Sequence, residues 1–132
     1  MRVKKLALGL VLMLAACSGE TIGLDLSSTE VALDVFSGRE NPKWQLTEAE
    51  AAQLQARLSD LPESTAAAPQ GGLGYRGFIV RNGDKQVTIG SGLVVVWSGD
   101  AQRVYQDKHD AEDLLFKQAV QRGYGNLIAQ DQ

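Results

Sequence analysis

The chain has one cysteine and one histidine. With Cys17 alone no intramolecular disulfide can form, so the fold must rest on an apolar core. With His109 alone no pair of imidazoles is present to hold a metal ion. Aromatic residues make up 6% of the chain, which leaves few for an exposed binding surface once a core is filled. Positive charge is not in excess either: 13 Lys and Arg face 16 Asp and Glu. Nucleic acid and anionic lipid head groups, which need clustered cations, are therefore disfavoured as partners. No internal repeat is visible, and no G-x-S-x-G nucleophile elbow occurs. The apolar run from Leu6 to Ala16 has 11 residues. As a helix it covers about 16 Å of a hydrocarbon core about 30 Å thick, too little to span a bilayer.

What that run does have is a cationic flank at Arg2, Lys4 and Lys5, the pattern of a cleaved export signal over residues 1–16. At its end, Leu14-Ala15-Ala16-Cys17 resembles the lipobox of bacterial lipoproteins. The resemblance implies diacylglycerol on the Cys17 thiol, cleavage before Cys17, and in many bacteria a further acyl group, such as palmitate, on the new amino terminus. The alternative is an ordinary secretory signal in which the cysteine is incidental. Ser18 stands where an Asp marks retention in the inner membrane of Gram-negative bacteria, so the expected location is the periplasmic face of the outer membrane. Two or three acyl chains, at about 0.8 kcal/mol per buried CH₂, would make such attachment lasting.

Loss of residues 1–16 leaves ten basic residues against sixteen acidic ones, net −6, in a chain of single-domain length. Residues 17–29 read as the lipidated terminus and a flexible tether spanning about 20 Å. A single domain is expected over 30–128, with a tail at 129–132. Val31, Leu33 and Val35 alternate with Ala32, Asp34 and Phe36 as in a half-buried strand, ended by the turn Ser37-Gly-Arg-Glu-Asn-Pro42. Thr47-Glu-Ala-Glu50 has capping-box spacing, and Ala51, Leu54, Leu58 and Leu61 then recur at helical steps until Pro62. Residues 62–74 read as a mobile loop or a second short linker. Strands follow at 75–81, 85–90, 93–97 and 102–105, the first two joined by an Asn82-Gly83 turn. Asp107 or Asp110 caps a final helix that Gly123 stops. The order predicts an α+β fold: a small antiparallel sheet of four to five strands with two helices on one face.

Gly72-Leu-Gly-Tyr-Arg-Gly77 spells the dinucleotide pattern G-x-G-x-x-G, but a strand follows it where a helix is needed, so the glycines are read as permitting a tight turn into that strand. No cofactor is expected. His109 lies among Asp107, Asp110, Glu112 and Asp113. Acids at a helix start complement its dipole, and the competing reading gives His109, Asp110 and Asp113 a metal-binding or acid/base role. Ser91 with His109 lacks the context of a serine hydrolase. Ser37-Gly-Arg-Glu-Asn-Pro-Lys-Trp44 and Leu73-Gly-Tyr-Arg-Gly-Phe78 each place an arginine near glycine and an aromatic ring. They resemble an uncharacterised group of secreted domains with S-G-R-x-N-P-x-W and L-G-Y-R-G-F, over roughly residues 31–122. Glu40 departs from the small residue or proline that the group's pattern implies, and the group brings no known activity. Arg39, Trp44, Tyr75 and Arg76 are the binding residues this pattern suggests, if the arginines present planar donors and the rings stack. The competing reading places Trp44 and Phe78 in the core, with the arginines paired to Asp34 or Glu40. The expected function is a monomeric, lipid-anchored envelope protein that binds a protein or glycan without catalysis. The alternatives are an enzyme built on His109 with Asp110 or Asp113, and a structural accessory of an envelope assembly.

Overall fold

A computed structural model describes residues 19–69 and 72–129. The signal, Cys17, Ser18, Gln70, Gly71 and the last three residues lie outside that range. Six strands form one antiparallel sheet: β1 Glu30–Leu33, β2 Lys43–Gln45, β3 Phe78–Asn82, β4 Lys85–Gly90, β5 Leu93–Ser98 and β6 Ala101–Gln106, in the spatial order β2-β1-β3-β4-β5-β6. Among the described residues three helices accompany it: α1 Glu48–Arg57, α2 Ala111–Gln121 and α3 Gly125–Ala129. The class is mixed α+β. Among the described residues no helix is long and apolar enough to cross a membrane.

Register follows from the alternation of apolar residues. Val31 lies opposite Val80, Val80 opposite Val87, and Ile89 opposite Val94, so these side chains share one face. They bury with Leu54 and Leu58 on the α1 side and with Leu115 and Ala119 of α2 in one core. Helix α1 begins at the capping box: the Glu50 amide donates to Thr47 Oγ1 at 3.1 Å and the Thr47 amide to Glu50 Oε1 at 3.0 Å. Helix α2 is capped by Asp107, whose carboxylate accepts from the amides of Ala111 and Glu112 at 2.7 and 3.0 Å. Asp110 occupies the N-cap position but in the left-handed region, φ 58°, with no side-chain bond to the helix.

Several expectations are corrected. The sheet has six strands, not four to five, because β2 is only three residues long and too short to show a period. The first strand stops at Leu33, since the amides of Val35 and Phe36 donate to Asn41 Oδ1 at 3.0 and 2.7 Å instead of to a strand. Asn82 is not a turn residue. It ends β3 opposite Lys85, with Gly83-Asp84 as the turn, and lies buried with Nδ2 facing the carbonyls of Asp25 and Ser28 and the Thr29 hydroxyl at 2.7–2.9 Å. Residues 62–64 are not loose, because the Ser64 amide donates to Val104 O at 2.8 Å and the Gln106 amide to Pro62 O at 2.9 Å. Helix α3 follows Gly123 within the expected domain, where no third helix was expected.

The largest departure is the expected tether. Residues 19–29 lie against the domain: Glu20 and Leu61 exchange amide bonds at 3.1 and 2.7 Å, and the Ile22 amide donates to Leu58 O at 3.0 Å. Gln55 Nε2 donates to Ile22 O at 2.8 Å, and Ile22 and Thr29 are buried. Scattered apolar residues gave no period because this segment is extended and packs irregularly.

Leu54 and Leu115 are both fully buried, one in each long helix. Leu54→Ala and Leu115→Ala are each expected to lower unfolding free energy by about 2–5 kcal/mol in urea titrations. A change below about 1 kcal/mol at both would contradict this core.

Candidate functional site

The two arginine–aromatic segments meet at Asp34. Beyond the last β1–β3 pair, the Asp34 amide donates to Gly77 O at 2.9 Å and the Arg76 amide to Asp34 O at 2.8 Å. The side chains repeat the connection: Arg76 Nη2 donates to Asp34 Oδ1 at 2.8 Å, and Asn41 Nδ2 donates to the same oxygen at 3.3 Å. Arg76 also reaches Phe36 O at 2.8 Å, Gly74 O at 3.3 Å, the Gly72 carbonyl and the Ser37 hydroxyl. Its side chain is 19% exposed. A guanidinium suits this task because its planar fork supplies several directed donors at once. Gly77 is required where it stands: φ is 104°, and a Cβ would collide with the Ile89 carbonyl oxygen.

The four residues singled out by the sequence do not form one surface. Arg39 is exposed, with its guanidinium 3.7 Å from the centre of the Phe36 ring, beside the loop that Arg76 ties down. Trp44 belongs to the core at 8% exposure, stacked on Tyr124 and edge-on to Phe78, with Nε1 donating to Gln118 Oε1 at 3.2 Å. Tyr75 turns away from Arg76, as neighbours in extended backbone do, and its hydroxyl donates to Glu112 Oε2 at 2.5 Å.

Segment 72–77 therefore separates two clefts. Arg76 lines a cleft of about 200 Å³, together with Asp34, Pro69, Thr88, Val95 and Trp97. Thr88, Val95 and Val104 lie side by side on the sheet face opposite the main core, and Trp97 Nε1 is 3.5 Å from Thr88 Oγ1. Tyr75 lines the other cleft, of about 320 Å³, with Asp107, Asp110, Glu112, Asp113 and Phe116. Here the carboxylates have work already: Asp107 caps α2, Glu112 accepts from Tyr75, and Asp113 pairs with Lys117 at 3.0 Å. Asp110 borders the cleft, whereas His109 is not part of its lining. The carbonyls of His109 and Asp110 accept from Arg57 at 2.9 and 3.1 Å. Among the described residues no three of His, Cys, Asp and Glu are grouped to hold a metal ion.

Trp97, Thr88 and Val95 were not singled out by sequence reasoning, although a signal existed. Leu93-Val-Val-Val-Trp97 is apolar at every position, the mark of a strand covered on both faces, whereas neighbouring β4 alternates over Gln86 to Ile89. Comparison with protein-family models, with curated proteins and with solved structures gives no match.

Burial first, then the bond to Glu112, pushes the Tyr75 phenol well above its ordinary value of 10.0, and burial raises Tyr105 as well. A raised folded-state value contributes stability that is complete below pH of about 10 and is lost as the pH climbs beyond it, since the unfolded chain releases these protons first. The melting temperature is expected to fall as the pH rises above about 10, and less steeply in Tyr75→Phe. Equal slopes in the two proteins would place Tyr75 in solvent.

Proposed function

We propose that this protein is a lipid-anchored component of the bacterial cell envelope, held through Cys17, and that it binds a larger partner on the outer face of its sheet without catalysing a reaction. The observation that carries the binding reading is the size and make-up of the outer-face cleft. Pockets for small molecules usually run from about 300 to 1,000 Å³. One of about 200 Å³, walled by Trp97, Val95, Leu93 and Pro69 with the Asp34–Arg76 pair at one side, suits a single anchoring group of a protein or glycan. Arg76 supports that wall from within, and its donors are already committed to Asp34 and the loop carbonyls.

The anchoring reading is supported by the sequence alone, through the cationic start, the short apolar run and Leu14-Ala15-Ala16-Cys17. The periplasmic face of a Gram-negative outer membrane is the proposed location, with Ser18 as its support. An enzyme reading would fall on the acidic cleft, which Asp110 and Asp113 line together with Tyr75. Titrating divalent metals while following the melting temperature tests it, because a ligand bound only by the native state raises the midpoint.

Mass spectrometry of the processed protein is expected to show an acylated Cys17 at the amino terminus, and Cys17→Ser to give unprocessed or released protein. An unmodified residue 17 in the wild-type chain would sink the anchoring reading. For the partner, a photo-crosslinker replacing Ala68 at the cleft is expected to trap one envelope component, and Trp97→Ala in the same background to lose it. Equal trapping from a crosslinker placed at Lys117 would show that the cleft is not the contact.

A further inference from the structure

We infer that the β6 edge of the sheet is the membrane-facing surface of this protein, so that the domain stands on that edge against the lipid head groups instead of swinging on a tether. The inference rests on the reading of Cys17 as the lipid-attachment site.

Only Ser18 separates Cys17 from Gly19. Two residues reach at most about 7 Å when fully extended. The head-group layer on each side of a bilayer is about 5–8 Å deep, so the leash is used up in crossing it. Gly19 is already fixed to the fold. Its amide donates to Asp60 Oδ1 at 2.8 Å, and Glu20 pairs with Leu61 in both directions. Directly after Leu61 the chain joins the outer edge of β6 at Pro62 and Ser64. Arg103 of β6 completes the connection, with Nη2 at 3.2 Å from Glu63 and 3.8 Å from Glu20. The surface nearest the anchor is therefore Gly19, Glu20, Asp60, Glu63 and Arg103. A free segment of a dozen residues would have allowed about 20 Å of play and any orientation.

The geometry of the sheet extends this to the whole domain. β2 lies five strand spacings from β6, about 24 Å at roughly 4.8 Å each, so Lys43 is far from the lipid. Neither sheet face looks at the bilayer, and the outer-face cleft opens sideways, toward a partner standing beside the protein. Three carboxylates against one arginine on the contact surface give no electrostatic attraction to anionic lipid, so the acyl chains hold the edge down and salt leaves it unchanged.

The experiment uses full-length acylated protein in phosphatidylcholine vesicles containing a lipid with a nitroxide on its head group. A fluorophore is placed at Glu63→Cys or, separately, at Lys43→Cys. Severalfold stronger quenching at position 63 than at 43 is expected, unchanged by added salt. A flexible Gly/Ser insertion of about twelve residues between Ser18 and Gly19, which leaves the docked segment intact, should bring the two positions close to equal. Gly19→Val should act in the same direction, because a Cβ there would come within 2.7 Å of Asp60 Oδ1 and 2.9 Å of the Leu61 carbonyl oxygen. Equal quenching at 43 and 63 in protein whose Cys17 is shown by mass spectrometry to be acylated would overturn the orientation and leave the anchor standing. An unmodified Cys17 with no vesicle binding would overturn both.

Discussion

The loop end of the sheet depends on one carboxylate. Asp34 Oδ1 takes bonds from Arg76 and Asn41, and its main chain extends the β1–β3 ladder past the last paired residues. Both partners of the ion pair are about one-fifth exposed, a setting in which the attraction is screened less than on an open surface. The same Arg76 side chain also donates to Phe36 O and Gly74 O, so the entropy cost of ordering it is spread over several contacts. From this node Arg76 fixes the carbonyls of segments 34–37 and 72–74, and through them the rim of the outer-face cleft. Removing the arginine would leave a partly buried carboxylate facing carbonyl oxygens, an arrangement that costs more than the lost bonds alone.

The elements that sequence reasoning recovers are those whose signals are local. The Thr47–Glu50 capping box is a relation between residues three apart, and it appears as expected. Strands β3 to β6 are long enough to be recognised by composition and by the short turns between them. β2 has no such length, and its place beside β1 is set by a nine-residue loop folded around Asn41. Asn82-Gly83 illustrates the opposite error, in which a strong local signal is overridden. The asparagine is taken into the strand because the segment at 25–29 needs its amide, and that demand comes from residues more than fifty positions away.

The same division applies to the candidate site. Arginine, aromatic and glycine residues drew the eye to 37–44 and 73–78, and these segments do come together. What the sequence could not convey is which way each side chain points. Trp44 faces the core because its strand pairs it with Val31, and Tyr75 and Arg76 diverge because extended backbone alternates. The residues that line the outer-face cleft with Arg76 are spread from Asp34 to Trp97, a set that only the sheet register assembles.

The two edges of the sheet differ in how they are closed. At β2 the exposed edge is three residues long and carries Lys43, while at β6 residues 62–64 already occupy part of the ladder. Short, charged or covered edges resist the addition of a further strand from another chain. Wherever copies of the domain meet often, this protection determines whether neighbours remain separate molecules or polymerise edge to edge. At Pro62–Ser64 the chain therefore spends its own amide and carbonyl on β6, at positions that a strand from a second copy would need.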